Sequence, residues 1–532
     1  MKIKILLLII LSLFSSWRLF RSGFPSMQDD IQVFRLQQFD QCQKDGQIPC
    51  RYIADGGLGY GYPLYNFYSP LPYGVSEAFH LIGFSYIDSV KISFIISTFL
   101  KTFGMYLFAS AFFGSYGGFL ATILYSFAPY QALNLYVRGA IGETWALSLL
   151  PLVFWSIYQK KSRLSVLFLS SLLLSHNLTL VYSLPLLAIF SIFTKCFKYF
   201  FRTLLWSLSI SSFFLLPAFF EKNLTTVDTM TQGYFNFIIH FATLKELFIS
   251  NFWGYSASMW GPIDGLSLQI GLFQWIIPTI LFIVLLFKTN FKHRSLIIFL
   301  YLIALLSLFL THNKSTFIWN KLPFLAYFQF PWRFLGLAIF SLSFISGGII
   351  SIFRKSTYLV LTISISLIIL LLNYPNFRED IWYPKLTDNN KLSGTELIRQ
   401  SGAGLMDYWP KYSKNFPSTF APTSPIVING DATIINFYKN SHHSSLAITI
   451  QSPEATINFP IVYYPDWLLT VDGQKTSYEI EPDLGLIQIK LKQGSYQIIL
   501  DFKDTPIRTF ANLFSLFTLG SFIILTIREK RS

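Results

Sequence analysis

The sequence predicts a multispanning α-helical membrane protein of about 12 transmembrane helices with a C-terminal extracytoplasmic β-sandwich domain. Mean hydropathy is +0.47. Of the 532 residues, 52% are hydrophobic and only 13% are charged. Apolar runs recur at lengths that cross a hydrocarbon core of about 30 Å. Late in the chain, these runs give way to segments with the two-residue alternation of strands.

Each expected span has about 17–25 residues. The expected limits are 3–20, 90–112, 117–135, 142–158, 164–177, 178–194, 203–220, 266–287, 295–311, 333–353, 357–373 and 506–527. A short polar break, SHNLTL, separates 164–177 from 178–194, so one bent element is the alternative there.

The basic residues orient these spans. The chain has 41 Lys and Arg against 27 Asp and Glu. In a membrane protein, such an excess is typical of the loops that orient helices, so we expect the lipid bilayer and no nucleic acid as a partner. With the N-terminus inside, cytoplasmic loops hold the basic residues at 2–4, 160–163, 195–202, 288–294, 354–355 and 528–531. This pattern predicts a multi-pass protein of the plasma (inner) membrane with both termini cytoplasmic.

The chain then divides into three parts. Residues 1–373 form a transmembrane module whose first outer loop is 21–89. Residues 374–505 contain period-2 runs such as ATIINFY and two hairpin signals, at Asp472-Gly473 and Gln493-Gly494, which predict the β-sandwich. Residues 506–532 form the last transmembrane helix and a cytoplasmic tail.

Two cysteines share the first outer loop. An oxidising compartment would permit a short disulfide between Cys42 and Cys50, and two unpaired thiols are the alternative. Cys196 falls in an expected cytoplasmic loop.

The same loop contains an acidic pair and an aromatic stretch. Asp29 and Asp30 follow the first span, and the stretch GYGYPLYNFY follows them. Aromatic rings stack on sugar faces while carboxylates accept hydrogen bonds from sugar hydroxyls, so this combination suits sugar binding. The candidate substrate-binding residues of the stretch are Tyr60, Tyr62, Asn66 and Tyr68. The alternative is solvated loop acids beside aromatics that merely line the membrane interface.

Four further ionisable residues are expected near the outer membrane surface. Arg138 and Glu143 lie five residues apart, which does not place them on one helical face, and a structural ion pair across the turn is the alternative to a site. Arg333 follows an aromatic cluster and suits a phosphate clamp, or else reaches the interface from an aromatic belt. His176 is a candidate substrate-binding residue or a structural histidine.

Cofactor signatures are weak. The sequence contains no His, Cys and Asp cluster with metal-ligand spacing, so it establishes no cofactor, although a divalent metal is possible and any ligands are unknown. It also lacks the glycine-rich signatures of nucleotide binding.

Five stretches resemble a known family: MQDDIQVFRLQQF, GQIPCRYIADGGLGYGYPLYNFYSPLPY, VRGAIGETWAL, FQFPWRFL and YYPDWLLTVDG. With the many spans and the outer β domain, they are similar to the GT-C superfamily of membrane glycosyltransferases, and to bacterial membrane proteins labelled 6-pyruvoyl-tetrahydropterin synthase-related. The resemblance implies a GT-C-like fold and a polyprenyl-phosphate sugar donor. It also implies an extracytoplasmic glycan, lipid or protein acceptor, Asp30 or Asp29 as the catalytic acid of the first outer loop, and Arg138 and Arg333 at the donor phosphate.

Three functions remain open at this point. The leading expectation is sugar transfer at the outer face. A transporter or flippase of a lipid-linked glycan predicts ionisable residues at mid-membrane depth, whereas the acids of this chain lie at outer helix ends. A non-catalytic glycan-binding or assembly protein predicts that Asp29 and Asp30 face no cavity.

Overall fold

Helices make up most of the chain, and a sheet occupies part of its C-terminal third. The structure is a computed structural model that describes residues 2–259 and 264–531. Its α-helices of nine or more residues are Lys2–Ser16, Gln32–Lys44, Leu71–His80, Tyr86–Ser126, Ile141–Tyr158, Ser162–Leu173, Asn177–Phe193, Phe197–Ile210, Ser212–Phe220, Leu272–Phe287, Arg294–Thr311, Leu335–Ser346, Tyr358–Asn373, Gly394–Gly402 and Pro506–Arg531.

Seven helical segments of the described residues are long and apolar enough to cross a membrane, which is the pattern of a membrane-embedded protein. They are Lys2–Phe20, Tyr86–Ser126, Ile141–Tyr158, Arg294–Thr311, Pro331–Ile352, Lys355–Asn376 and Pro506–Arg528. An eighth is reached if Phe197–Ile210 and Ser212–Phe220, which meet at an angle of 76°, form one broken span. The described residues therefore contain fewer helices of membrane-spanning length than the expected number of about 12.

The difference comes from helix length and from one kink. The expected spans at 164–177, 178–194 and 266–287 correspond to Ser162–Leu173, Asn177–Phe193 and Leu272–Phe287, which have 12, 17 and 16 residues. At a rise of 1.5 Å per residue, helices of this length reach only about 18–26 Å. Tyr86–Ser126 joins two expected spans across Gly114, whose φ of 71° is readily adopted only by glycine.

Aromatic packing holds the centre of the helical bundle. Phe108, on Tyr86–Ser126, lies 4.1 Å from the Phe344 ring and 5.6 Å from the Phe154 and 5.7 Å from the Phe190 rings, measured between centroids. All four side chains are fully buried. Ring contacts of this kind add to the energy of burial, and here they join four helices.

The C-terminal strands form one hydrogen-bonded sheet. Within residues 264–531, seven antiparallel strands belong to it: Ile426–Asn429, Ala432–Lys439, His443–Val462, Trp467–Val471, Gln474–Thr476, Glu479–Ile480 and Leu486–Phe502. The two long strands pair along most of their length, with breaks in register between Ile450 and Glu454 and between Asn458 and Val462. The antiparallel strands were expected, but a single continuous sheet takes the place of two separate ones.

Residues of the segment 21–89 pack against this sheet. The Tyr52 hydroxyl donates to the Val462 carbonyl at 3.0 Å, and the Val462 amide donates to the Tyr60 carbonyl at 3.1 Å. A two-residue strand, Phe24–Pro25, also pairs with Trp382–Tyr383. These contacts hold the beginning of the chain and its C-terminal third together.

A disulfide closes part of the same loop. Cys42 and Cys50 are bonded, and their Cα atoms lie 5.6 Å apart. Cys196 is a free, buried cysteine. Of the two alternatives for Cys42 and Cys50, the structure has the bridge.

Candidate active site

A cavity of about 440 Å³ lies where the starts of several helices meet. Residues at or near the N-terminal ends of Gln32–Lys44, Ile141–Tyr158, Asn177–Phe193 and Leu335–Ser346 line it. Helix N-termini carry partial positive charge from unpaired N–H groups. The ionisable side chains along the wall include Asp29, Arg35, Arg138, Glu143, His176, Arg333 and Asp407.

A tight turn brings the first pair of charges together. The backbone forms a π-helical segment over Leu133–Arg138, and Gly139 ends it with a φ of 64°. Across this turn, Nη1 of Arg138 lies 2.7 Å from Oε2 of Glu143, and the Tyr130 hydroxyl donates to the same carboxylate. The pair is thus made between two elements rather than along one helix, and it also borders the cavity.

Arg333 approaches this pair from another helix. Its Nε lies 4.0 Å from Oε2 of Glu143, and its Nη1 donates to the Phe328 carbonyl at 2.8 Å. The guanidinium carbon lies 4.9 Å from the centre of the Phe330 ring. Among the described residues, no hydrogen-bond acceptor reaches the buried Nε. A guanidinium at a cavity wall is suited to bind an anionic group.

The backbone positions Asp29 against the Arg138 turn. The amide of Asp29 donates to the Arg138 carbonyl at 2.8 Å, and the amide of Gln28 donates to the Val137 carbonyl at 2.9 Å. Asp29 lines the cavity, and its carboxylate has no hydrogen bond or ion pair within residues 2–259 and 264–531. Burial raises the pKa of Asp29 above its usual value, although the nearby cations of Arg138 and Arg35 oppose this effect.

Asp30, the adjacent acid, has a different environment. Its carboxylate lies 2.6 Å from Nζ of Lys391 and 3.1 Å from Nη2 of Arg399. Burial raises the pKa of Asp30 above its usual value, and the two cations partly oppose this shift. Asp30 does not line the cavity. Of the two acids that the sequence nominates, the structure therefore brings only Asp29 to the site.

A second cavity carboxylate comes from the C-terminal third of the chain. Asp407, on the short helix Leu405–Tyr408, lies 3.9 Å from Nη2 of Arg35. Burial raises the pKa of Asp407 to about 6, Arg35 opposes this shift, and Asp29 adds to it. Sequence analysis missed Asp407 and Arg35. The local signal is an acid next to two aromatic residues, in MDYW, which is too common to identify a site.

His176 is at the cavity and also caps a helix. Its Nδ1 accepts from the Thr179 amide at 3.3 Å, at the start of Asn177–Phe193. Because Nδ1 is the acceptor, Nε2 carries the proton in the neutral ring. His176 can therefore donate one hydrogen bond while it holds the helix end in place.

The aromatic stretch GYGYPLYNFY divides into two groups. Tyr68 lines the cavity, and the Arg35 guanidinium carbon lies 4.1 Å from the centre of its ring. Tyr60 and Tyr62 are buried and are not part of the cavity wall. Asn66 is also buried, and its Nδ2 donates to Glu221 at 2.7 Å in a separate polar network. Only Tyr68 of the four candidates thus reaches the site.

The donor set of the cavity does not fit a metal ion. No group of three or more His, Cys, Asp or Glu side chains that could hold one occurs in the described part of the chain. Asp29 and Asp407 instead lie among guanidinium groups, whose charge disfavours a divalent cation.

Comparisons with known proteins give one distant relative. No family model matches the chain, and no solved structure matches it. A protein of Lactococcus lactis subsp. cremoris (strain MG1363), described as an uncharacterized protein, is 22% identical over 357 residues. The aligned region covers 62% of this chain and 54% of that protein, so the chain spans about half the length of this relative.

Proposed function

We propose that the protein is a membrane glycosyltransferase that moves a sugar from a polyprenyl-phosphate-linked donor to an extracytoplasmic glycan, lipid or protein acceptor. The observation that carries the proposal is the Asp29 carboxylate, which faces a cavity bordered by Arg138 and Arg333 without a partner of its own among the described residues. A transferase of this kind needs both groups, a base for the acceptor and cations for the departing phosphate.

The electrostatics of the cavity favour an anionic donor. Several helix N-termini border it, and the Arg333 guanidinium lies on its wall. Arg138 is already paired with Glu143 and also lies over the Trp332 ring, 4.6 Å from its centre. Arg333 is therefore the better candidate to contact the phosphate, while Arg138 contributes charge from a fixed position.

The reaction then follows ordinary sugar transfer. Asp29 accepts the proton of the acceptor hydroxyl, and that oxygen forms a bond to the anomeric carbon of the donor sugar. The bond between this carbon and the phosphate oxygen breaks, and the polyprenyl phosphate leaves with the electron pair. Burial favours the reaction because it raises the pKa of Asp29 and so makes it a stronger base than an exposed aspartate.

The membrane arrangement is part of the same proposal. Long and short apolar helices together form a GT-C-like bundle in the plasma membrane, and both termini are cytoplasmic. The cavity and the sheet then lie on the outer side, where a lipid-linked sugar is presented. Seven apolar helices of membrane-spanning length and the shared location of Asp29 and Asp407 at one cavity support this arrangement.

Separate substitution of the two neighbouring acids tests the proposal. In a strain that lacks the native gene, Asp29→Asn should lower glycan transfer by about 10²–10⁴-fold, because it removes the base. Asp30→Asn is the matched control. It changes an adjacent residue in the same way, and Lys391 keeps its ion pair with Glu396 when Asp30 loses its charge.

Glycan composition by mass spectrometry is the readout, with protein level in the membrane measured in parallel. Equal glycan levels in the Asp29→Asn strain and the native strain would contradict the catalytic role of Asp29. They would instead favour the binding or assembly function that remained open from the sequence.

A further inference from the structure

A second cavity lies at the opposite ends of two helices that begin at the candidate active site. Ile141–Tyr158 and Asn177–Phe193 start at the first cavity and end beside Lys160 and Lys195. These two lysines line the second cavity together with Lys198 and Arg202, and its volume is about 820 Å³. It is therefore separated from the candidate active site by the length of the bundle.

The charge around this cavity is one-sided. Between Glu143 and Glu221 the sequence has no acidic residue, and six basic residues occur there. Within residues 2–259 and 264–531, none of the four cavity cations forms an ion pair. Orientation of membrane helices requires basic loops but does not require a concave cluster, so the shape needs a further explanation.

The cavity adjoins a crevice with an apolar side. Arg202 lines both the cavity and this crevice, which has a volume of about 150 Å³ and lies between the helices Ser162–Leu173, Phe197–Ile210 and Pro506–Arg531. Val166, Trp206, Phe522 and Leu525 form the apolar side, and serine and threonine side chains line the rest. The Trp206 and Phe522 rings lie 5.4 Å apart between centroids. A cationic opening that continues along apolar side chains matches a molecule with an anionic head and a hydrocarbon chain.

We propose that this cavity binds the phosphate headgroup of an anionic phospholipid, with an acyl chain in the crevice. Basic pockets between membrane helices bind such headgroups through the same charge complementarity. The shared chemistry is a phosphate group, and free phosphate is the other source. The proposal does not depend on the transferase function, since the two cavities share no residue.

Trp206 provides a reporter for the test. The purified protein is placed in phosphatidylcholine vesicles with increasing fractions of phosphatidylglycerol whose acyl chains are brominated, because bromine quenches tryptophan fluorescence on contact. The Trp206→Phe variant defines the share of the signal that arises at the crevice. We expect this share to be quenched at a lower fraction of brominated phosphatidylglycerol than of brominated phosphatidylcholine.

Charge removal should weaken this preference. The double variant Lys198→Gln, Arg202→Gln should require about 25-fold more phosphatidylglycerol, since each basic residue near an anionic membrane contributes about fivefold in binding and the two factors multiply. The matched control is Lys288→Gln, Lys292→Gln, which removes two exposed lysines that do not line the cavity. The control should quench like the native protein.

Three outcomes would overturn the proposal. The first is equal quenching by the two brominated lipids, and the second is an equal loss in the control variant, which would indicate general surface charge. The third is recovery of fluorescence on addition of millimolar inorganic phosphate, since a site for free phosphate would not need the lipid chain.

Discussion

At the scale of the residue, two adjacent acids illustrate what determines the site. Asp29 and Asp30 have the same side chain, but the amide of Asp29 is bonded to the Arg138 carbonyl and its carboxylate faces the cavity. Asp30 instead pairs with Lys391 and Arg399. The sequence predicts that an acid of this pair is important, but the choice depends on contacts with residues more than a hundred positions away.

Asp407 should add its own step to the pH dependence of transfer. As pH rises through about 6, Asp407 acquires a negative charge on the wall of the cavity that is proposed to hold the anionic donor. Asp407→Asn removes this charge. The Michaelis constant for the donor should therefore rise above about pH 6 in the native enzyme and stay constant in the variant.

The measurement is the pH profile of transfer with purified enzyme and a lipid-linked donor. Asp431→Asn is the control, because Asp431 is an exposed aspartate in a turn of the sheet and does not border the cavity. An equal rise of the Michaelis constant for the donor in Asp407→Asn and the native enzyme would contradict this role of Asp407.

At the scale of the element, hydrophobic pattern predicts where helices occur better than how long they are. Apolar runs located the helices around 142–158 and 295–311 to within a few residues. They did not predict that Gly114 joins two helices through a kink, or that several helices are too short to cross a membrane alone. The role of Asp407 could not be predicted from the sequence either, because its place at the cavity depends on tertiary packing and not on local pattern.

Glu221 connects several elements through one buried network. Its carboxylate lies 3.0 Å from Nε of Arg508 and accepts from Thr505 at 2.7 Å and from Asn66 at 2.7 Å. Arg508 is fully buried. Glu221→Gln leaves this cation without its charge partner, which in buried pairs costs about 3–5 kcal/mol of stability. Thermal unfolding of the detergent-solubilised protein should therefore begin at a markedly lower temperature.

Glu454→Gln is the matched control for this substitution. Glu454 is an exposed residue of the long strand His443–Val462, and exposed substitutions usually change stability by less than about 0.5 kcal/mol. Equal unfolding temperatures for Glu221→Gln and Glu454→Gln would contradict a stabilising role for the network.

At the scale of the whole molecule, the fold has two chemically distinct ends. One end holds the charged cavity, the segment 21–89 with its Cys42–Cys50 disulfide, and the sheet. The other end holds basic residues, and there Nζ of Lys4 donates to Ser115 at 2.6 Å and Nη2 of Arg163 donates to the Thr526 carbonyl at 2.7 Å. Disulfides persist in oxidising compartments, and basic loops remain in the cytoplasm.

This asymmetry predicts the orientation of the chain in the membrane. Reporter fusions after Lys161, Arg294 and Lys355 should fluoresce with a protein that matures only in the cytoplasm. A fusion after Asn440, within the sheet, should instead be active with a phosphatase that functions only outside. Each position carries both reporters in separate strains, so that every site has its own opposite control.

An active phosphatase after Lys161, or an inactive one after Asn440, would place the cavity in the cytoplasm. A polyprenyl-linked sugar donor that is presented at the outer face could then not reach Asp29, and the proposed reaction would fail with the topology.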